Sequence, residues 1–140
     1  MSSDNLSDHE IREILTEPMT VAVVGCSPDP TRDSHKVARA LQTMGHTVIP
    51  VNPQARQILG LRCYGSLRHI EEPVTMVDVF RRSELVPAIV DDAIAIAARI
   101  LWLQLGVVHE EAAARARAAG LTVMMDRCPV VEYRRLVSAD

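Results

Sequence analysis

Residues 20–45 read TVAVVGCSPDPTRDSHKVARALQTMG, and the stretch divides into three parts of different character. Residues 20–25 are a continuous apolar run ending in glycine, which is typical of a strand buried on both faces of a parallel sheet. A polar, proline-containing loop follows. From Ser34, which we expect to be the N-cap, the apolar spacing and a final Gly45 predict a helix. The stretch is therefore one strand–loop–helix unit of an α/β fold.

The same alternation continues in both directions along the chain. Ser7 and Glu10 have the spacing of a capping box, which predicts a short helix over 8–15. Further apolar strands are predicted at 46–51, 75–80, 99–105 and 121–125, with helices at 84–99, 109–119 and 130–136.

Strands that alternate with helices form parallel sheets with right-handed crossovers. We therefore expect an α/β protein with one Rossmann-like, doubly wound domain that spans residues 1–140. The sheet should have five parallel strands in the order 3-2-1-4-5, with helices on both faces. The two ends, about 1–6 and 137–140, are expected to fray.

The composition limits the class of partner. Hydrophobic residues make up 48% of the 140 residues but aromatic residues only 3%, so a base-stacking surface for nucleic acid is hard to build. The net charge of -3 and the pI of about 5.9 give no general attraction for nucleic acid or an anionic membrane. We expect neither partner, and an anionic ligand would need a local basic pocket.

Cysteine usage and the N-terminal residues favour a cytoplasmic protein. The three cysteines, Cys26, Cys63 and Cys128, are odd in number and far apart, which suits a reducing compartment. Residues 2–10, SSDNLSDHE, do not resemble a signal or transit peptide, and no apolar run reaches membrane-spanning length. The five histidines lack metal-ligand spacing, so no metal site is predicted.

Polar and turn residues follow every predicted strand. In open α/β sheets, ligands bind outside the carboxyl ends of the strands, so these residues are candidates for a binding site. They are Gly25, Cys26, Ser27, Arg32 and Ser34 after strand one, Val51, Asn52 and Pro53 at the end of strand two, Phe80 and Arg81 after strand three, Gln104 and Gly106 after strand four, and Asp126 and Arg127 after strand five.

The first loop favours a phosphate-binding site, although it does not match the nicotinamide fingerprint. A strand-end glycine followed by the opening N–H groups of a helix suits an anion. Of the motif G-x-G-x-x-G, however, only Gly25 is present, because Ser27 and Pro30 occupy the other two positions. The acid that NAD sites place after strand two is replaced by Asn52, which would suit a ribose carrying a phosphate.

Each of these features also has an ordinary interpretation. The Gly25 loop can be a simple turn, Arg81 and Arg82 can be solvated charges, and Cys26 can be a packing residue. The sequence contains no G-x-S-x-G elbow, Walker loop or H-E-x-x-H motif, and no nucleophile is paired with an evident base. We therefore predict no catalytic residues and expect a binding protein rather than an enzyme.

Five motifs in order resemble those of a known family. They are VAVVGCS with Arg32 and Ser34, VIPVNP, VDVFRR, WLQLG and AGLTVMMDRC, and they cover roughly residues 8–136. The chain resembles the small bacterial and archaeal CoA-binding proteins, which are related to the CoA-binding domain of the succinyl-CoA synthetase α subunit. Residues 1–140 hold no phosphohistidine domain like that of the synthetase, so the resemblance implies a binding or regulatory module rather than a complete ligase.

The resemblance also implies a place for each part of coenzyme A. Gly25, Ser27, Arg32 and Ser34 would surround the pyrophosphate, Val51, Asn52 and Pro53 the ribose and its phosphate, Phe80 and Arg81 the adenine end, and Gln104 and Gly106 the pantetheine arm, while the role of Cys26 stays open. The alternatives are a nicotinamide-dependent reductase, a component of a partner-dependent acyl-CoA enzyme, or an interaction domain that has lost its ligand. The sequence leaves open the acyl group, a homo-oligomer and a protein partner.

Overall fold

The computed structural model describes residues 6–138, and its elements follow the predicted alternation. Helix α1 begins at a complete capping box, in which the Ser7 hydroxyl accepts from the Glu10 N–H and the Glu10 carboxylate accepts from the Ser7 N–H. The helices are α1 (Asp8–Thr16), α2 (Asp33–Thr43), α3 (Val86–Ala95), α4 (Glu110–Ala118) and α5 (Pro129–Tyr133). The strands are β1 (Thr20–Val24), β2 (Thr47–Val51), β3 (Gln57–Ile58), β4 (Leu61–Arg62), β5 (Met76–Val79), β6 (Ile100–Leu103) and β7 (Thr122–Met124).

The main sheet has five parallel strands in the order β2-β1-β5-β6-β7, which confirms the predicted α/β class. All four residues of β5 and all four of β6 are buried, as strands covered on both faces must be. Strands β3 and β4 form a separate antiparallel hairpin.

The predicted strand order 3-2-1-4-5 is wrong. Counting only the strands of the main sheet, the observed order is 2-1-3-4-5, because β5 pairs with β1 and not with β2. The cause lies in residues 52–75, which cross one face of the sheet without an α-helix. Tyr64, Leu67, Ile70 and Val74 of this segment are buried in the same cluster as Ile49 and Val51, so the segment delivers β5 to the far side of β1.

The core consists of two layers, one on each face of the sheet. The first layer packs α3, α4 and residues 64–74 against side chains such as Val77 and Leu101. The second packs α1, α2 and α5 against side chains such as Val23 and Trp102. Helices on both faces confirm the doubly wound architecture.

Several helix boundaries differ from the predicted ones, each for a local reason. Helix α2 begins at Asp33 with Arg32 as N-cap, because the Ser34 hydroxyl accepts from the Ser27 N–H instead of capping the helix. The predicted helix 84–99 ends at Ala95, and Ala97 then takes a positive φ of 58°. The final helical turn continues through Ser138. The predicted fraying of 1–5 and 139–140 lies outside the described residues.

Candidate binding site at the carboxyl edge of the sheet

The chain reverses its direction of winding between β1 and β5, a place here called the switch point. The loops after β1, β2 and β5 meet there. The Gly25 N–H donates to the Val51 carbonyl at 2.9 Å, and the Phe80 N–H donates to the Val24 carbonyl at 2.8 Å. Gly25 has a φ of +84°, and a Cβ at this position would lie 2.9 Å from the Phe80 carbonyl oxygen. Only glycine fits, and its absence of a side chain keeps the backbone accessible.

The first cavity, here called the cradle, lies at the start of α2. It has a volume of about 340 Å³ and is lined by Gly25, Ser27, Arg32, Asp33, Ser34 and Phe80. The N-cap residue of α2 is Arg32, and its guanidinium group has no acceptor atom for the first helical N–H groups. Those N–H groups therefore stay available to a ligand. Together with the helix dipole, they make the cradle suitable for an anion.

Two serine hydroxyls hold the cradle in shape. The Ser34 hydroxyl accepts from the Ser27 N–H at 2.9 Å, and the Ser27 hydroxyl accepts from the Asp29 N–H at 3.0 Å. Both hydroxyls keep their own O–H for a ligand oxygen. The buried ring of His35 lies 2.9 Å from the Ser27 carbonyl, which can only accept, so Nδ1 carries the proton and fixes the loop to α2.

The second cavity, here called the α3-side cavity, lies on the other face of the switch point. Its volume is about 240 Å³. Four of the predicted site residues line it, together with further residues from the crossover and from α3. Asp92, one of the additional residues, is already paired with Arg68 at 2.6 Å, so its carboxylate is partly neutralised. The predicted lining residues are Gly25, Val51, Pro53 and Arg81; the additional ones include Ser66, Leu67, Leu85, Ile89 and Asp92.

The third cavity, here called the α2–α5 cavity, lies on the opposite face from the second. Its volume is about 430 Å³, and Phe80 and Gln104 are the predicted residues that line it. The remaining lining comes from α2, from Leu105 and from residues 128–134. The cavity shares Asp33 and Phe80 with the cradle, so the two are adjacent at the start of α2.

Five of the candidate residues line none of these three cavities: Cys26, Asn52, Gly106, Asp126 and Arg127. Asn52 uses both ends of its amide within the protein, donating to the Cys26 carbonyl and accepting from the Gln54 N–H. Gly106 donates its N–H to the Asp126 carboxylate at 2.8 Å and so joins the loops after β6 and β7. Burial raises the pKa of the Cys26 thiol to about 12, which keeps it protonated and unreactive.

The α3-side cavity and the α2–α5 cavity contain residues that the sequence did not reveal. Ser66 of the crossover and Ile89 of α3 line the α3-side cavity together with Val51, and the expected strand order did not predict this path of the crossover. Val130 and Val131 form one wall of the α2–α5 cavity. Their place in the site could have been predicted from the sequence, because they follow β7 at the same edge of the sheet. Arg127 holds this wall: its carbonyl accepts from the Trp102 indole N–H at 2.8 Å.

Within residues 6–138, no three His, Cys, Asp or Glu side chains come together to hold a metal ion. In the same range, no helix is long and apolar enough to cross a bilayer. A larger cavity of about 1000 Å³ lies at the amino edge around Thr75 and Arg99, away from the edge where α/β sheets bind their ligands.

Known proteins share both the sequence and the fold. Uncharacterized protein YneT of Bacillus subtilis (strain 168) is 43% identical over 129 residues, which is 92% of this chain and 96% of that protein. A solved structure of a hypothetical protein from Pyrococcus horikoshii OT3 is 38% identical with a TM-score of 0.93, covering 98% of this chain and 96% of that one. Both therefore match over nearly their whole length.

A longer enzyme matches only in part. Acetate–CoA ligase [ADP-forming] I of Archaeoglobus fulgidus is 36% identical over 80 residues, which is 57% of this chain but 12% of the ligase. The family model described as CoA binding domain matches residues 19–134, a range that includes all three cavities. The chain belongs to the CoA-binding domain family.

Proposed function

We propose that the protein binds coenzyme A or an acyl-CoA across the carboxyl edge of the sheet. The observation that carries the proposal is the adjacency of the cavities: the cradle shares Gly25 with the α3-side cavity and Phe80 with the α2–α5 cavity. A long ligand with charge in its middle can therefore cross the edge at β1. Membership of the CoA-binding domain family supports this choice of ligand.

Each part of the ligand has a place of matching chemistry. The pyrophosphate would lie in the cradle, against the N–H groups of α2 and the Arg32 guanidinium. The ribose with its phosphate, and the adenine, would lie in the α3-side cavity beside Val51, Pro53 and Arg81. The pantetheine arm would extend past Phe80 toward Gln104.

The end of β2 argues against a nicotinamide cofactor. NAD sites place an acid there for the ribose hydroxyls, whereas this chain has Asn52, whose side-chain amide is already bonded at both ends. Arg81 lines the α3-side cavity and offers positive charge, which suits a phosphorylated ribose.

The role that fits these features is binding without catalysis. The one cysteine of the first loop, Cys26, is held protonated by burial, and Asp78 lies beneath the site with no exposed surface. A second candidate is a component of a partner-dependent acyl-CoA enzyme, which the partial match to the acetate–CoA ligase favours. We place the protein in the cytoplasm, where coenzyme A and reduced thiols are available.

Substitution of the two arginines tests the proposal. We expect Arg32→Gln and Arg81→Gln each to weaken CoA binding by at least about tenfold in calorimetry, because charge-assisted hydrogen bonds to phosphate are the strong ones. Arg39→Gln, an exposed charge on α2 outside the cavities, is the matched control and should bind normally. Unchanged affinity in both test variants would place the phosphates elsewhere.

A further inference from the structure

The α2–α5 cavity combines an apolar lining with one buried acceptor that has no partner. Seven of its eleven lining residues are apolar. Gln104 is only 6% exposed, and its Oε1 accepts no hydrogen bond from any residue in 6–138. Because an unpaired amide oxygen in such surroundings is unfavourable, a turn of the Gln104 amide that brings Oε1 to the cavity surface favours a ligand with an N–H or O–H donor.

Apolar side chains are also exposed at the mouth of this cavity. Leu105, just after β6, is 60% exposed, and Val131 of α5 is 49% exposed. Single exposed hydrophobic residues need no explanation, but these two border one cavity from different elements. A ligand with an apolar end would cover both.

The arrangement of the cavities indicates how such a ligand would be oriented in the site. The cavity borders the cradle at Asp33 and Phe80, so an occupant can keep its phosphates at the start of α2 while its other end enters the cavity. That occupant must carry, in order, phosphate, an amide donor and an apolar terminus. An acyl thioester of coenzyme A has this order, since amide groups lie between its phosphates and its acyl chain.

We infer that the α2–α5 cavity binds the acyl end of an acyl-CoA, so that aliphatic thioesters are held more tightly than free CoA. The inference rests on the proposed function. The pantetheine N–H donates to Gln104 Oε1, and the acyl chain packs against Val37, Val130 and Val131. Free CoA ends in a thiol and leaves this apolar surface exposed to water. No bond is formed or broken.

A chain-length series on the intact protein tests the inference. Calorimetry with CoA, acetyl-CoA and butyryl-CoA should show affinity rising by about fourfold for each buried methylene. Equal affinity for all three would overturn the inference and leave the proposed function standing. Loss of binding to all three would overturn the proposed function itself.

Two pairs of variants locate the acyl chain. Val131→Ser should reduce the butyryl-CoA preference over CoA at least twofold, whereas Val108→Ser, at a valine 40% exposed outside the cavity, should preserve it. Ala40→Phe fills the cavity from α2 and should abolish the preference, with Ala114→Phe on the exposed surface of α4 as control. A preference that persists in both Val131→Ser and Ala40→Phe contradicts the inference.

Discussion

Asp78 occupies the middle of the sheet, between Val23 of β1 and Trp102 of β6, and has no exposed surface. Neither carboxyl oxygen has a hydrogen-bond partner within residues 6–138. Burial raises the pKa of this carboxyl from 3.8 to about 8, so the folded protein keeps a proton that the unfolded chain releases. The group is therefore a source of instability at neutral pH.

Asp78→Asn should remove this pH dependence. Because the unfolded state binds fewer protons than the folded state between about pH 4 and 8, this residue lowers the free energy of unfolding by about 1.4 kcal/mol per pH unit in that window. Urea denaturation of both proteins at pH 5, 7 and 8.5 should show that the free energy of unfolding of the variant, relative to that of the wild type, increases as pH rises. Parallel pH profiles would mean that Asp78 has an ordinary pKa.

Substitution of Gly25 tests whether the backbone segments approach each other closely at the switch point. Gly25→Ala should destabilise the fold by about 1–3 kcal/mol and weaken CoA binding, because it adds a collision with the Phe80 carbonyl to the cost of a positive φ. Gly120 also has a positive φ but has open space around it, so Gly120→Ala measures the cost of φ alone. Chemical denaturation and calorimetry on the two variants separate these effects, and equal behaviour would contradict the close approach.

At the scale of elements, α5 is only five residues long and depends on ion pairs to stay in place. Glu132 is 5% exposed and accepts from Arg127 at 3.1 Å and from Arg135 at 2.7 Å. Arg135 also binds Asp8 of α1. Since α5 forms one wall of the α2–α5 cavity, these contacts position that wall.

Glu132→Gln should therefore destabilise the protein by about 1–3 kcal/mol, because it leaves two half-exposed guanidinium groups without their shared carboxylate. Asp8→Asn removes an exposed partner from the same cluster and should leave the thermal midpoint nearly unchanged. Thermal unfolding and amide hydrogen exchange of α5 measure both. A Glu132→Gln protein as stable as Asp8→Asn would show that the buried carboxylate is not what holds α5.

The sequence predicted the individual elements better than their arrangement. Apolar runs placed every main strand within about two residues, because a strand buried on both faces has little freedom in composition. The helix over 84–99 was overextended, since Ile96 and Ala98 continue the apolar pattern beyond the end of the helix at Ala95. The N-cap of α2 was misplaced by two residues, from Arg32 to Ser34, because Ser34 bonds the loop and not the helix.

At the scale of the whole molecule, the unpredicted features follow from the crossover at 52–75. Nothing in the residues after Asn52 marks which neighbour β5 will choose, because that choice depends on the burial of Tyr64, Leu67 and Val74 over the sheet. The cradle could be predicted, since five of its six lining residues lie in one continuous stretch, 25–34. The other two cavities could not, because they join segments that are distant in sequence.

The central claim is that coenzyme A crosses the carboxyl edge with its pyrophosphate at the start of α2, and the most direct measurement is an NMR titration of backbone amides with CoA. We predict the largest shift changes at Gly25, Ser27 and Ser34, and none at Gly120 on the amino edge. Changes confined to the amino edge, or none at saturating CoA, would contradict the claim.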